Sequence, residues 1–139
     1  MTNANLFKLL IYGQNSKNIS AALNETYAGL SVNCVEFQGN LKNAGLCYFK
    51  QALESTNAQY AVIACFNTNQ FLDALEIHEC LDAMLLLSKQ NSCVPVLLIL
   101  PYEDLSDKRL KYLNNLKDYA LRNNLLLIET KSNRSEEHT

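Results

Sequence analysis

Two apolar runs, Tyr60-Ala-Val-Ile-Ala-Cys-Phe66 and Val94-Pro-Val-Leu-Leu-Ile-Leu100, set the tightest limit on how this chain can fold. A strand that is apolar throughout suits the middle of a sheet covered on both faces, and such sheets are parallel, with helices making the crossovers. Pro95 sits near the start of the second run, where a missing N–H is tolerated, and Pro101 stops it. Three further strands are expected at Phe7–Tyr12, Val32–Phe37 and Leu125–Glu129. Helical patterns fill the gaps: about Ser20–Ala28, Leu46–Ser55, Phe71–Gln90 and Leu105–Arg122. Ser16 or Asn18 can cap the first of these and Gly29 can stop it; Glu103 and Asp104 read as the turn and cap before the last. The alternation predicts an α/β fold, a three-layer α/β/α sandwich on a mostly parallel sheet. With 139 residues the expectation is a single domain over 1–131 and a polar tail over 132–139.

Charge and composition narrow the function classes. A net charge of −2 provides no global field for nucleic acid or an anionic membrane. No apolar run approaches the roughly 18–20 residues that cross a bilayer, and no secretory signal is visible. The five cysteines, Cys34, Cys47, Cys65, Cys80 and Cys93, are widely and irregularly spaced. Without a CxxC or Cys/His cluster they point to reduced structural thiols of a cytoplasmic protein, with no metal site.

Phe7-Lys-Leu-Leu-Ile-Tyr-Gly13 and the segment to Ser20 form a strand that ends in glycine and feeds a helix. Open α/β proteins place ligands at such turns, where helix N–H groups are unpaired and glycine admits close backbone approach.

In element order and spacing the chain resembles the Ras-like small GTPases. Phe7–Gly13 stands where that family has its first strand, Ser20 where its P-loop has a serine, and Asn43-Ala-Gly45 where it has the end of a DxxG motif. Ala61–Phe66, Val94–Leu105 and Leu127-Ile-Glu-Thr-Lys-Ser132 follow at similar spacing. The compact GTPases of ethanolamine and propanediol microcompartments are similar in their short gap between the first helix and second strand. The resemblance implies a remnant nucleotide site at Gly13, Lys17, Ser20, Gly45 and Asp104. The motifs themselves depart from the family: Ile19 occupies the P-loop lysine position, Lys42 the metal-aspartate position, and only Asp104 remains of the guanine reader. Losing the cation and the metal carboxylate together removes most of the charge compensation for a triphosphate. The implied function is therefore a pseudo-GTPase, catalytically inactive, binding no GTP or Mg²⁺ and acting through a protein partner. That partner is expected on the surface of Leu46–Ser55 or Phe71–Gln90, where Leu72, Leu86 and Leu87 fall off the main apolar stripe.

The alternatives are a divergent nucleotide hydrolase using Lys17 and a GDSL/SGNH-type serine hydrolase. The second also opens with strand, glycine and serine, here Gly13-Gln-Asn-Ser16 where that family has the serine directly after Gly-Asp, and needs an aspartate and a histidine near the C-terminus; His138 is available, with no aspartate within a few residues of it. A receiver domain lacks its acidic residues, since Gly13-Gln14 and Asn67 stand in their places, and a flavodoxin-like phosphate loop is only faintly echoed by Gln14–Lys17. His78 reads as a helix-surface side chain, and Lys108, Arg109, Lys111 and Lys117 as the solvated face of the last helix.

Overall fold

A computed structural model describes residues 7–13, 16–36, 44–65, 74–99 and 106–130. The elements alternate as β1 (Phe7–Gly13), α1 (Ser16–Thr26), β2 (Leu30–Glu36), α2 (Ala44–Thr56), β3 (Tyr60–Cys65), α3 (Ala74–Gln90), β4 (Val94–Ile99), α4 (Asp107–Arg122) and β5 (Leu126–Glu129). The strands make one five-stranded sheet in the order β2-β1-β3-β4-β5, with every pair parallel. The two apolar runs become neighbouring interior strands, β3 and β4. Pro95 sits in β4 opposite Ala61, next to a first rung closed by Val94 N–H to the Gln59 carbonyl at 2.9 Å.

Residues in register share a face of the sheet. Tyr12 directs its ring edge onto Phe49 of α2, with centroids 5.1 Å apart. Leu10, Tyr12, Ala61, Ile63 and Leu97 therefore face α2, α3 and α4, where Phe49, Leu53, Ile77, Leu81, Met84, Tyr112 and Leu116 complete a continuous core. Leu9, Ile11, Tyr60, Val62, Val96 and Leu98 face the other way. The crossover from β1 to β2 runs opposite in direction to the remaining ones, and right-handed connections then place α1 alone on this second face. It packs over β1 and β2.

Local chemistry explains the helix ends. Ser106 caps α4, its Oγ accepting the Arg109 N–H at 3.2 Å, so the cap lies two residues past the expected Asp104. Asp107 in the first turn and Arg122 in the last match the helix dipole. The chain leaves α2, α3 and α4 through left-handed residues Asn57, Ser92 and Asn124, with φ of 52°, 54° and 52°. Asparagine tolerates that conformation better than most residues, which gives two of the chain's many asparagines a structural role.

Two expectations need correction. The first helix starts at Ser16, about a turn before the anticipated Ser20. Arg109, read as part of a solvated face, is buried. Leu86 is exposed as expected from its angular position, whereas Leu87 packs against the core; Leu72 lies outside the described residues. Among the described residues no helix is long and apolar enough to cross a membrane.

Candidate active site

With strand order 2-1-3-4-5, the chain reverses its direction of travel across the sheet at the boundary of β1 and β3. The carboxyl end of the strands at that boundary is the usual ligand position in an open α/β sheet. Gly13 and Ala64 are the register partners at that end. Gly13 has φ +122°, and a Cβ built on it would stand 2.6 Å from the Ala64 carbonyl oxygen and 3.2 Å from its Cβ. Only glycine lets β1 and β3 close here, because both the dihedral and the space exclude a side chain.

Only two residues separate Gly13 from Ser16, the first residue of α1. So abrupt a strand-to-helix turn fixes the serine at the carboxyl edge of the sheet. Ser16 is completely buried, and its Oγ has no hydrogen-bond partner among the described residues. A hydroxyl held out of water without a partner costs about 1–3 kcal/mol, so its retention calls for a reason. It is not acting as a cap, since it accepts no backbone N–H. The first turn of α1 contains no acidic residue, so the positive end of the helix dipole is uncompensated where Ser16 sits. Negative charge developing on or near Oγ is favoured there.

The residues anticipated from the nucleotide reading fall on different elements. Gly13 ends β1 in register with Ala64. Lys17 is on an exposed side of α1. Ser20 is buried but sits more than a full turn inside the helix, too deep to present its hydroxyl at the N-terminus. Gly45 is the second residue of α2. Asp104 lies outside the described residues. A phosphate-wrapping loop also needs several residues between strand and helix, and the two available here cannot encircle a phosphate chain.

Tyr12, just before Gly13, faces the opposite side; burial, and then the neighbouring Tyr48 phenol, push its pKa above the usual tyrosine range. It stays a neutral core group. His78 forms the arrangement most like a catalytic relay: Nε2 lies 3.0 Å from Asp82 Oδ2, while Tyr119 donates its hydroxyl to Asp82 Oδ1 at 2.5 Å. The imidazole meets the Tyr119 ring edge-on at 5.9 Å. This cluster ties α3 to α4 on the sheet face opposite α1. Among the described residues no group of three His, Cys, Asp or Glu is placed to hold a metal ion. His138 lies outside the described residues.

Neither a protein-family model nor a curated protein matches this sequence. Solved structures do. A protein of the G-D-S-L lipolytic family from Desulfitobacterium hafniense DCB-2 superposes with a TM-score of 0.70 at 18% identity, over 88% of this chain and 76% of that one. The psychrotrophic esterase EstA of Pseudoalteromonas sp., in a form inhibited by monoethylphosphonate, gives 0.70 at 11% identity over the same shares. A GDSL-like lipase of Bacteroides thetaiotaomicron gives 0.67 at 14%, over 91% and 73%.

These neighbours overturn the resemblance to Ras-like GTPases, and with it the reading as a pseudo-GTPase regulatory module. Element order and apolar strand spacing are common to many doubly wound sheets, so they could not distinguish the two families. The chain has the fold of GDSL-type lipolytic hydrolases.

Proposed function

We propose that this protein is an ester-cleaving serine hydrolase of the GDSL kind, with Ser16 as the nucleophile. The observation that carries the proposal is the fully buried, unpartnered Ser16 Oγ at the β1–α1 turn, in a fold that solved esterases and lipases share. In this reading Oγ attacks the ester carbonyl and the alcohol leaves. Water then releases the acid from the acyl-enzyme. The α1 N-terminus favours the negative charge that develops in each step. A general base must take the Ser16 proton. His78 is engaged with Asp82 between α3 and α4, so the proposal assigns that role to His138. The chemistry requires no nucleotide, metal or other cofactor. A reducing cytoplasmic setting suits Cys34, Cys47, Cys80 and Cys93, none of which is in a disulfide.

The test pairs short-chain p-nitrophenyl esters with a fluorophosphonate probe. The expected result is hydrolysis that Ser16→Ala lowers by about 10³-fold or more, with a phosphonyl adduct mapped by mass to Ser16. His138→Ala should also lose activity, while His78→Ala should retain it. Hydrolysis that survives Ser16→Ala, or an adduct mapped to Ser20, would remove Ser16 from the role.

A further inference from the structure

Where the chain leaves the sheet, its backbone is held from two sides. Glu129, which ends β5, pairs with Lys117 of α4 at 3.1 Å. Thr130 gives both of its donors to one acceptor, the Ile99 carbonyl at the end of β4: its N–H at 3.0 Å and its Oγ1 hydroxyl at 2.8 Å. The N–H bond is the rung that follows the Ile99–Glu129 register, and any parallel pair would form it. The hydroxyl bond is particular to this side chain, and it fixes the rotamer of Thr130 as well as its backbone. β5 is a short edge strand whose Leu126 and Ile128 are exposed. Among the described residues, its polar side-chain ties are gathered at the carboxyl end, from which the chain runs on to His138.

We propose that Thr130 is a positioning residue for the general base: it pins the origin of the segment that carries His138, and so sets how often the imidazole meets Ser16. This inference rests on the ester-hydrolase reading above. All the strands are parallel, so Thr130 and Ser16 lie at the same edge of the sheet. In the order β1-β3-β4-β5 they are three strand spacings apart, about 14 Å at about 4.8 Å each. The chain from Thr130 to His138 extends to at most about 26–29 Å, so from this anchor it reaches the serine. The local concentration of a tethered group depends on tether length and on where the tether starts. Without the hydroxyl bond the end of β5 frays, the tether lengthens, and the imidazole is diluted at the nucleophile. The backbone rung to Ile99 is still available, so the pairing of β4 with β5 survives.

The test is a double-mutant cycle on the hydrolysis of p-nitrophenyl acetate, pairing Thr130→Val with His138→Ala. Valine keeps the shape of the side chain and removes its hydroxyl. Thr130→Val is expected to lower kcat about 10-fold with KM unchanged, and Thr130→Ser to restore it. In the His138→Ala background the same change should cost nothing, because no base remains to be positioned. Trypsin supplies a readout that needs no activity: cleavage after Lys131 should be about 10-fold faster in Thr130→Val. A loss that persists in the His138→Ala background, or that serine does not rescue, makes Thr130 merely structural and overturns the proposal. So does an unchanged kcat or cleavage rate in Thr130→Val when Ser16→Ala and His138→Ala have both lost activity; the hydrolase reading then stands. A His138→Ala variant with full activity, or a wild-type chain that cleaves no ester, removes that reading and this proposal together.

Discussion

Gly13 is held in place by two constraints, a positive φ and the Ala64 carbonyl 2.6 Å from where a Cβ would stand. Gly13→Ala is expected to lower stability by about 3 kcal/mol or more, since strain and overpacking each cost about 1–3; urea unfolding followed by circular dichroism measures this. Ser16 should behave in the opposite way. Its hydroxyl makes no bond, so Ser16→Ala should leave stability unchanged or raise it by up to about 1 kcal/mol while abolishing ester hydrolysis. A stability loss of about 1 kcal/mol or more would mark Ser16 as an ordinary helix cap. The importance of Gly13 was legible in the sequence, because a glycine that closes an apolar run just before a helix marks a point where the backbone must turn or pass close to a neighbour. The burial of Ser16 was not legible, because the late start assigned to α1 left it in a loop beside Asn15 and Asn18, which offer similar hydrogen-bonding chemistry.

At the scale of elements, α2 is anchored by an aromatic contact. Phe49 is fully buried and meets the Tyr12 ring edge-on. Phe49→Ala should cost about 3–5 kcal/mol, read as a fall in the urea midpoint. Removing the partly exposed Lys117–Glu129 ion pair between α4 and β5, 3.1 Å apart, should cost less than about 1 kcal/mol. The strands were legible almost to the residue, because parallel strands buried on both faces concentrate Val, Ile and Leu in short runs. Helix starts were not. α1 opens Ser-Lys-Asn, a sequence with weak intrinsic helix preference, and its beginning is imposed by the short turn from β1. Arg109 was misplaced for a related reason: the spacing of charges on α4 could not reveal that its neighbours on other elements enclose it.

Across the whole molecule, buried acidic groups set an alkaline limit. Burial pushes the Cys93 thiol up to about 11, and it raises Tyr12 and Tyr119 above the usual phenol range; Asp82 adds to the effect at Tyr119. A group whose acidity is weakened by folding stabilises the native state below its unfolded pKa and loses that contribution as pH rises toward the folded one. Stability should therefore fall from pH about 9 upward, steepening above 10 as the tyrosines join; thermal melts between pH 7 and 11 measure it. The fold class was legible from the alternation of elements, but which doubly wound structures it most resembles was not, since many such sheets share that rhythm. The strand order also has a consequence for the order of assembly. β1 is made first and lies inside the sheet, yet its neighbour β3 is distant in sequence: Lys8 N–H reaches the Gln59 side chain across 51 residues. During synthesis β1 must therefore wait for β3 before its second edge is satisfied, so closure of the sheet around it is a long-range event.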